Sequence, residues 1–242
     1  MNNKPILETC LSPALLHLFD TKNTIVIIID IFRATSTITT ALYNGAEKVI
    51  PIASVEACIN SKKENEAYIT AGERDGKVAP GLEYGNSPFE YPADFIKDKT
   101  LVLTTTNGTK LLHMVEYADQ IVIGSFLNLE KVCAYLISQN KKVLLGCAGW
   151  KDRVNMEDTL FAGAVAHHLR PYFDILCDST RMAEELYNDA MESGSLIEFV
   201  KDSNHYRRLS GFGLLKDMEY CLTPNLHPIV PVYDGHSLKK LY

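Results

Sequence analysis

At 242 residues and 46% hydrophobic, the chain is long enough to bury a substantial core, which argues against a disordered protein or a disulfide-stapled miniprotein. A formal net charge of −6 excludes a general polyanion-binding surface, such as one for nucleic acid, and leaves room only for a local cationic site. The longest aliphatic run, IVIIIDIF at 25–32, is too short to span a bilayer and carries an aspartate, so no membrane partner is expected.

The first residues, MNNKPILETCLSPALL, lack the basic start and cleavage pattern of a secretory leader. The six cysteines form no Cys-x-x-Cys pair. A cytoplasmic protein with buried free thiols is the expectation.

Strands are expected at 24–30, 48–52, 67–71, 100–104, 120–124 and 142–147, with a last one at 228–232. Helical spacing fills the gaps at 36–44, 54–64, 107–117 and 127–138. Beyond residue 156 the chain turns helix-rich, with segments at 156–169, 178–191, 194–202 and 213–220. The alternation predicts an α/β protein, a three-layer α/β/α arrangement with a largely parallel or mixed sheet and a helix-rich C-terminal third. No Pro/Gly/Ser linker divides it, so residues 1–242 are expected to form one domain. The stretch from 72 to 98, rich in Gly, Pro and Glu, is the candidate functional loop.

Ligands of such sheets collect beyond the carboxyl ends of the strands, and the polar residues concentrate there. The first strong strand ends on Asp30, followed by Arg33, Thr35 and Ser36. A carboxylate at a strand end suits a divalent cation, and an arginine three residues on suits a phosphate; a helix cap with a surface ion pair explains the same residues. Glu73 and Arg74 follow another strand and read equally well as metal and anion ligands or as a salt bridge. Asn86 and Ser87 read as a turn with a cap before Pro88, within reach of a ligand. Glu157 and Asp158 open a helix, where acidic side chains are favoured anyway. Their reading as metal ligands rests on Asp30 and Glu73 lying at neighbouring strand ends.

TTTNGT at 104–109 contains the Asn-Gly of a β-hairpin, yet Leu111, Leu112 and Val115 follow with helical spacing. Cys147 and Arg153 have the Cys-x5-Arg spacing of cysteine phosphatases. The bulky Trp150 and acidic Asp152 between them oppose a phosphate loop, and a packed thiol is the preferred reading. Phe32 stands where an Asp-x-Asp aspartyl-phosphate motif has its second carboxylate, which argues against that family.

The ordered blocks IDIFRATSTITTAL, GAEKVIPI, AGERDG, EYGNSP, TTTNGT, CAG and MEDTLFAG, with a weaker GLLKDMEYC tail, resemble the 2-phosphosulfolactate phosphatase family (ComB-like proteins) over nearly the whole chain. The resemblance implies a Mg²⁺-dependent phosphatase for a small phosphorylated hydroxy acid, notably (R)-2-phospho-3-sulfolactate in coenzyme M biosynthesis. Carried onto this chain, it implies Asp30, Arg33 and Glu73 as catalytic residues. Mg²⁺ ligands are expected among Asp30, Glu73, Glu157 and Asp158. Substrate contacts are expected from Arg33, Thr35, Ser36, Arg74, Asn86, Ser87, Thr105, Thr106, Asn107, Gly108 and Thr109, with TTTNGT as an anion loop. A different phosphorylated hydroxy acid, or a non-catalytic organophosphate-binding module, are the alternatives. A homodimer is the default oligomeric expectation.

Overall fold

A computed structural model describes residues 4–74 and 76–241, so Asp75 of the AGERDG block lies outside the described residues. The strands are β1 (Leu7–Cys10), β2 (Ile25–Ile29), β3 (Lys48–Pro51), β4 (Ile69–Arg74), β5 (Lys77–Val78), β6 (Thr100–Thr104), β7 (Gln120–Gly124), β8 (Val143–Cys147), β9 (Pro231–Tyr233) and β10 (Leu238–Lys240). The helices are α1 (Ala34–Tyr43), α2 (Val55–Glu64), α3 (Ala93–Ile96), α4 (Gly108–Met114), α5 (Leu129–Gln139), α6 (Met156–Leu169), α7 (Asp178–Glu192), α8 (Leu196–Val200), α9 (Asn204–Gly211) and α10 (Leu215–Cys221).

All ten strands join one mixed sheet in the order β1-β8-β2-β7-β9-β10-β3-β6-β4-β5. Two parallel blocks, β1-β8-β2-β7 and β3-β6-β4, are connected by the antiparallel β9-β10 ribbon. The ribbon pairs antiparallel with β7 on one side and β3 on the other, so the two blocks run in opposite directions. In a flat sheet β2 and β6, five strands apart in this order, would be separated by roughly 24 Å at the usual strand spacing. Ile28 of β2 and Leu103 of β6 instead line the same small cavity. The sheet is therefore bent, and residues at the carboxyl ends of strands from both blocks, β2 and β8 of one and β4 and β6 of the other, meet at one region.

The alternation along β2 explains the two cores. Ile25, Ile27 and Ile29 face one cluster with Leu160, Phe161 and Val165 of α6. Val26 and Ile28 face a second, with Ile38 of α1, Leu111 of α4 and Leu101 and Leu103 of β6. Both faces of β2 are thus covered by apolar side chains, which is why its sequence is continuously aliphatic. Helix α6 is buried along most of its length and packs closely on α7. At Gly163 an added Cβ would sit 2.0 Å from the Ala183 carbonyl oxygen, so the crossing requires glycine. Helices on both faces give the three-layer α/β/α arrangement.

Candidate active site

The continuous strand β2 drives Asp30 and Arg33 into the molecule, where they are only 5% and 4% exposed. They open onto a cavity of about 140 Å³ lined also by Phe32, Glu73, Arg74, Asn86, Thr105, Thr106, Asn107, Trp150, Lys151, His205, Arg208 and Leu209. Among the described residues the lining contains four arginine and lysine side chains against two carboxylates, Asp30 and Glu73. A locally cationic pocket therefore sits in a chain whose net charge is −6.

Arg33 donates to Asp217 of α10, itself buried, across 184 residues of sequence. The pair directs one end of the guanidinium and leaves its other donors for a ligand. Burial pushes Asp30 from 3.8 up to about 6; the neighbouring Glu73 and Glu157 add to this. The neighbouring His205 and the backbone N–H of Gly108 act in the opposite sense. Gly108 has no room for a side chain: a Cβ would lie 2.9 Å from Asp30 Oδ2.

The TTTNGT segment is a strand-to-helix turn, the last residue of β6 leading into α4. Much of its hydrogen-bonding capacity is spent internally. The Thr109 hydroxyl lies 3.1 Å from that of Thr105, and the Thr109 backbone N–H donates to Thr105 Oγ1 at 3.2 Å. Thr106 Oγ1 donates to Glu73 Oε1 at 3.2 Å, and Asn107 Oδ1 accepts from the Lys151 N–H at 3.4 Å. Thr105, Thr106 and Asn107 still line the cavity, whereas Thr109 does not.

Thr35 and Ser36 also stay outside the cavity lining. Their hydroxyls donate to the carbonyls of Asp30 and Ile31, at 2.9 and 3.0 Å, and so fix the turn from β2 into α1. Ser87 caps the short turn at Pro88–Glu90, as its sequence setting suggests. Asn86, by contrast, reaches the cavity with its Oδ1 buried and unpartnered.

Glu157 and Asp158 lie one layer below the cavity lining. Asp158 accepts from the backbone N–H groups of Ile31 at 2.8 Å and Gly149 at 3.0 Å, tying the end of β2 to the loop after β8. Its burial, reinforced by Glu157 and Asp30, pushes its carboxyl well up despite those two donors. Glu157 Oε1 faces His205 Nδ1 at 2.5 Å, while Oε2 is buried without a partner. His205 Nε2 in turn faces Arg208 Nη2 at 3.0 Å. Arginine can only donate, so Nε2 accepts and Nδ1 carries the proton. The Arg208 guanidinium lies over the Trp150 ring at 4.7 Å, with the Lys151 ammonium over the same ring at 4.8 Å.

His205, Arg208, Trp150, Lys151 and Asp217 had not been singled out as site residues from sequence. The signal that could have found two of them is His205-x-x-Arg208, an i, i+3 pair on one helical face.

Cys147 is completely buried, and its thiol is pushed well above the usual value by burial and by Asp158. It does not line the cavity, which fits the packing role and not a thiolate nucleophile. The other cysteines are also free, and all but the half-buried Cys177 are buried.

Among the described residues, no group of three or more His, Cys, Asp and Glu side chains converges as a ready-made metal cage. Mg²⁺ does not need one, since it commonly takes one or two carboxylates and keeps waters and substrate oxygens for the rest. Asp30 and Glu73, both facing the cavity beside the unpartnered Asn86 Oδ1, fit that oxygen-rich donor set.

Residues 10–236 match the family profile described as 2-phosphosulpholactate phosphatase. A protein of Thermotoga petrophila is 43% identical over 205 residues, covering 85% of this chain and 87% of its own. One from Caldanaerobacter subterraneus subsp. tengcongensis is 37% identical over 214 residues, 88% of each chain. One from Clostridium acetobutylicum is 37% identical over 226 residues, 90% of this chain and 92% of its own. All three carry the name "Probable 2-phosphosulfolactate phosphatase". Among the described residues no helix is long and apolar enough to cross a membrane.

Proposed function

The chain belongs to the 2-phosphosulfolactate phosphatase family, and from that premise we propose that it hydrolyses the phosphomonoester of a small 2-hydroxy acid in a Mg²⁺-dependent reaction. The substrate is (R)-2-phospho-3-sulfolactate, converted to 3-sulfolactate and phosphate, as in coenzyme M biosynthesis. The single observation that carries this reading is the pocket itself: four cationic side chains and a buried carboxylate, Asp30, around a space of about 140 Å³. A substrate with a phosphate, a carboxylate and a sulfonate calls for several cations in a small volume.

Asp30 and Glu73 would hold Mg²⁺, which when bound neutralises charge on the phosphoryl oxygens. Arg33, aimed by Asp217, binds the phosphoryl group through its remaining donors. Thr105, Thr106 and Asn107, which line the same pocket, orient the ester. Arg74 donates from its guanidinium Nη1 to the Glu73 carbonyl at 2.6 Å, which ties one end of the fork to the β4 end, and the residue borders the pocket. That position suits the substrate carboxylate.

The excess of cations also favours a second reading, an organophosphate-binding module without turnover. Asp30 weighs against it, because a buried carboxylate facing the ligand repels a phosphate that is only to be bound. Phosphate release from a panel of phosphorylated hydroxy acids, with Mg²⁺ and with EDTA, decides. Mg²⁺-requiring release with preference for phosphosulfolactate is the expected result. Release that survives EDTA removes the metal from the proposal, and preference for phospholactate or phosphoglycolate reassigns the substrate. No release at all from any of them leaves the binding module.

A further inference from the structure

Resting on that reading, we infer that Arg208 determines specificity by binding the sulfonate of the substrate. Three observations converge on this side chain. Its guanidinium lies over the Trp150 ring at 4.7 Å, so it is packed on an indole face. One of its terminal nitrogens is taken by His205 Nε2 at 3.0 Å, and His205 is held by the completely buried Glu157. Its Nε–H is buried and has no partner among the described residues, although the residue lines the cavity. A buried guanidinium N–H without an acceptor is costly, and an anionic oxygen in the cavity removes that cost.

The other arginines are committed differently. Arg33 stands three residues from Asp30 and is aimed by Asp217, which assigns it to the reacting phosphoryl group. Arg74 is held by the carbonyl of Glu73 on the β4 side. Arg208 comes from α9, together with His205, and shares the Trp150 ring with Lys151. Two cations of different geometry at one wall suit a sulfonate, whose three oxygens point in different directions and which stays ionised at every working pH. A planar carboxylate needs only one fork.

The test compares binding of two product-like ligands, 3-sulfolactate and lactate, which share the carboxylate and hydroxyl and differ by the sulfonate. Calorimetric titration of the wild-type chain and of Arg208→Gln gives the result without requiring turnover. Losing one charge-assisted contact is expected to weaken 3-sulfolactate by about 10- to 100-fold, against less than about 3-fold for lactate. Trp150→Leu, which removes the platform but not the charge, is expected to shift the same ratio in the same direction by a smaller factor.

Equal weakening of both ligands, or none, overturns the assignment. A melting temperature for Arg208→Gln within a few degrees of wild type ensures that the ratio reports on recognition; should that variant not fold, Trp150→Leu alone decides by the same ratio. The two readings fail separately. A wild-type chain that releases no phosphate sinks the phosphatase reading, while the sulfolactate-to-lactate ratio still decides the role of Arg208.

Discussion

His205 Nδ1 lies 2.5 Å from Glu157 Oε1, joining the polar helix α9 to the buried start of α6 across 48 residues. Glu157 is 0% exposed and its second oxygen lacks a partner among the described residues, where His205 supplies the one side-chain hydrogen bond to this carboxyl. His205→Ala therefore leaves a carboxyl buried with neither oxygen paired. Such a change costs about 3 kcal/mol where a buried polar pair is broken from one side. The midpoint of urea unfolding is expected to fall accordingly, and Glu157→Gln, which keeps an acceptor for Nδ1–H, is expected to lose less. Equal losses from the two variants would contradict this account of the contact.

Asp217 is not part of the cavity lining; it accepts from Arg33 and positions that guanidinium from α10. Asp217→Asn keeps the shape and removes the charge that aims it. Misplacing a positioning group by about 1 Å costs on the order of 10²-fold in rate, so phosphate release per unit KM should drop by that order. The circular dichroism spectrum should be unchanged. Wild-type kinetics in this variant would show that Arg33 is held in place by its own turn alone.

Asp30 carries a pH signature. The folded chain keeps its proton until about pH 6, while the unfolded chain releases it near 3.8. Between those values the folded state binds more protons, so the stability contributed by this group is present below the lower value. It is lost as pH rises through the upper one. The total is about 3 kcal/mol. Asp30→Asn has no such dependence. Measured in EDTA, wild type minus variant stability should fall with pH across this window, leaving the variant the more stable protein at pH 7. The same variant should release no phosphate. A variant less stable than wild type at pH 7 would mean that the ionised carboxylate is compensated and burial is not the dominant influence.

The parts of the site that were legible in sequence sit at the ends of strong strands. IVIII and LVL are covered on both faces, and their aliphatic runs marked where Asp30 and the TTTNGT turn had to emerge. Helix α9, NHYRRLSG, escaped notice because only His205 and Leu209 are buried on it, too few to write an apolar stripe. Strand β1 was missed for a similar reason, being four residues with Glu8 and Thr9 inside it. The reversal between the two parallel blocks was also hidden, since it depends on the three-residue strands β9 and β10 pairing between β7 and β3. Trp150 was read as an obstacle to a phosphate loop, when its ring serves as a surface for Arg208. Asp217 lay in an expected helix, but no local pattern links it to a residue 184 positions away.

Gly108 gives the sharpest test of the turn that follows β6. Helix α4 starts here because Leu111 and Leu112 must face the core formed by α1 and β2, which brings the backbone of residue 108 against Asp30. A Cβ at this position would meet Asp30 Oδ2 at 2.9 Å and the Ala34 Cβ at 3.3 Å. The carboxylate cannot retreat freely, since Asp30 is buried and its backbone N–H and carbonyl are both bonded to the Thr35 hydroxyl. Gly108→Ala should therefore displace the Asp30 carboxylate and lower turnover by roughly 10²-fold, the usual effect of a 1 Å misplacement in a catalytic array. Its cost in stability should be modest, about 1 kcal/mol, because alanine favours the helix that the added methyl strains. Steady-state kinetics alongside thermal melting separates the two effects. Unchanged turnover would mean that the Asp30 carboxylate tolerates displacement and that its alignment does not limit the reaction.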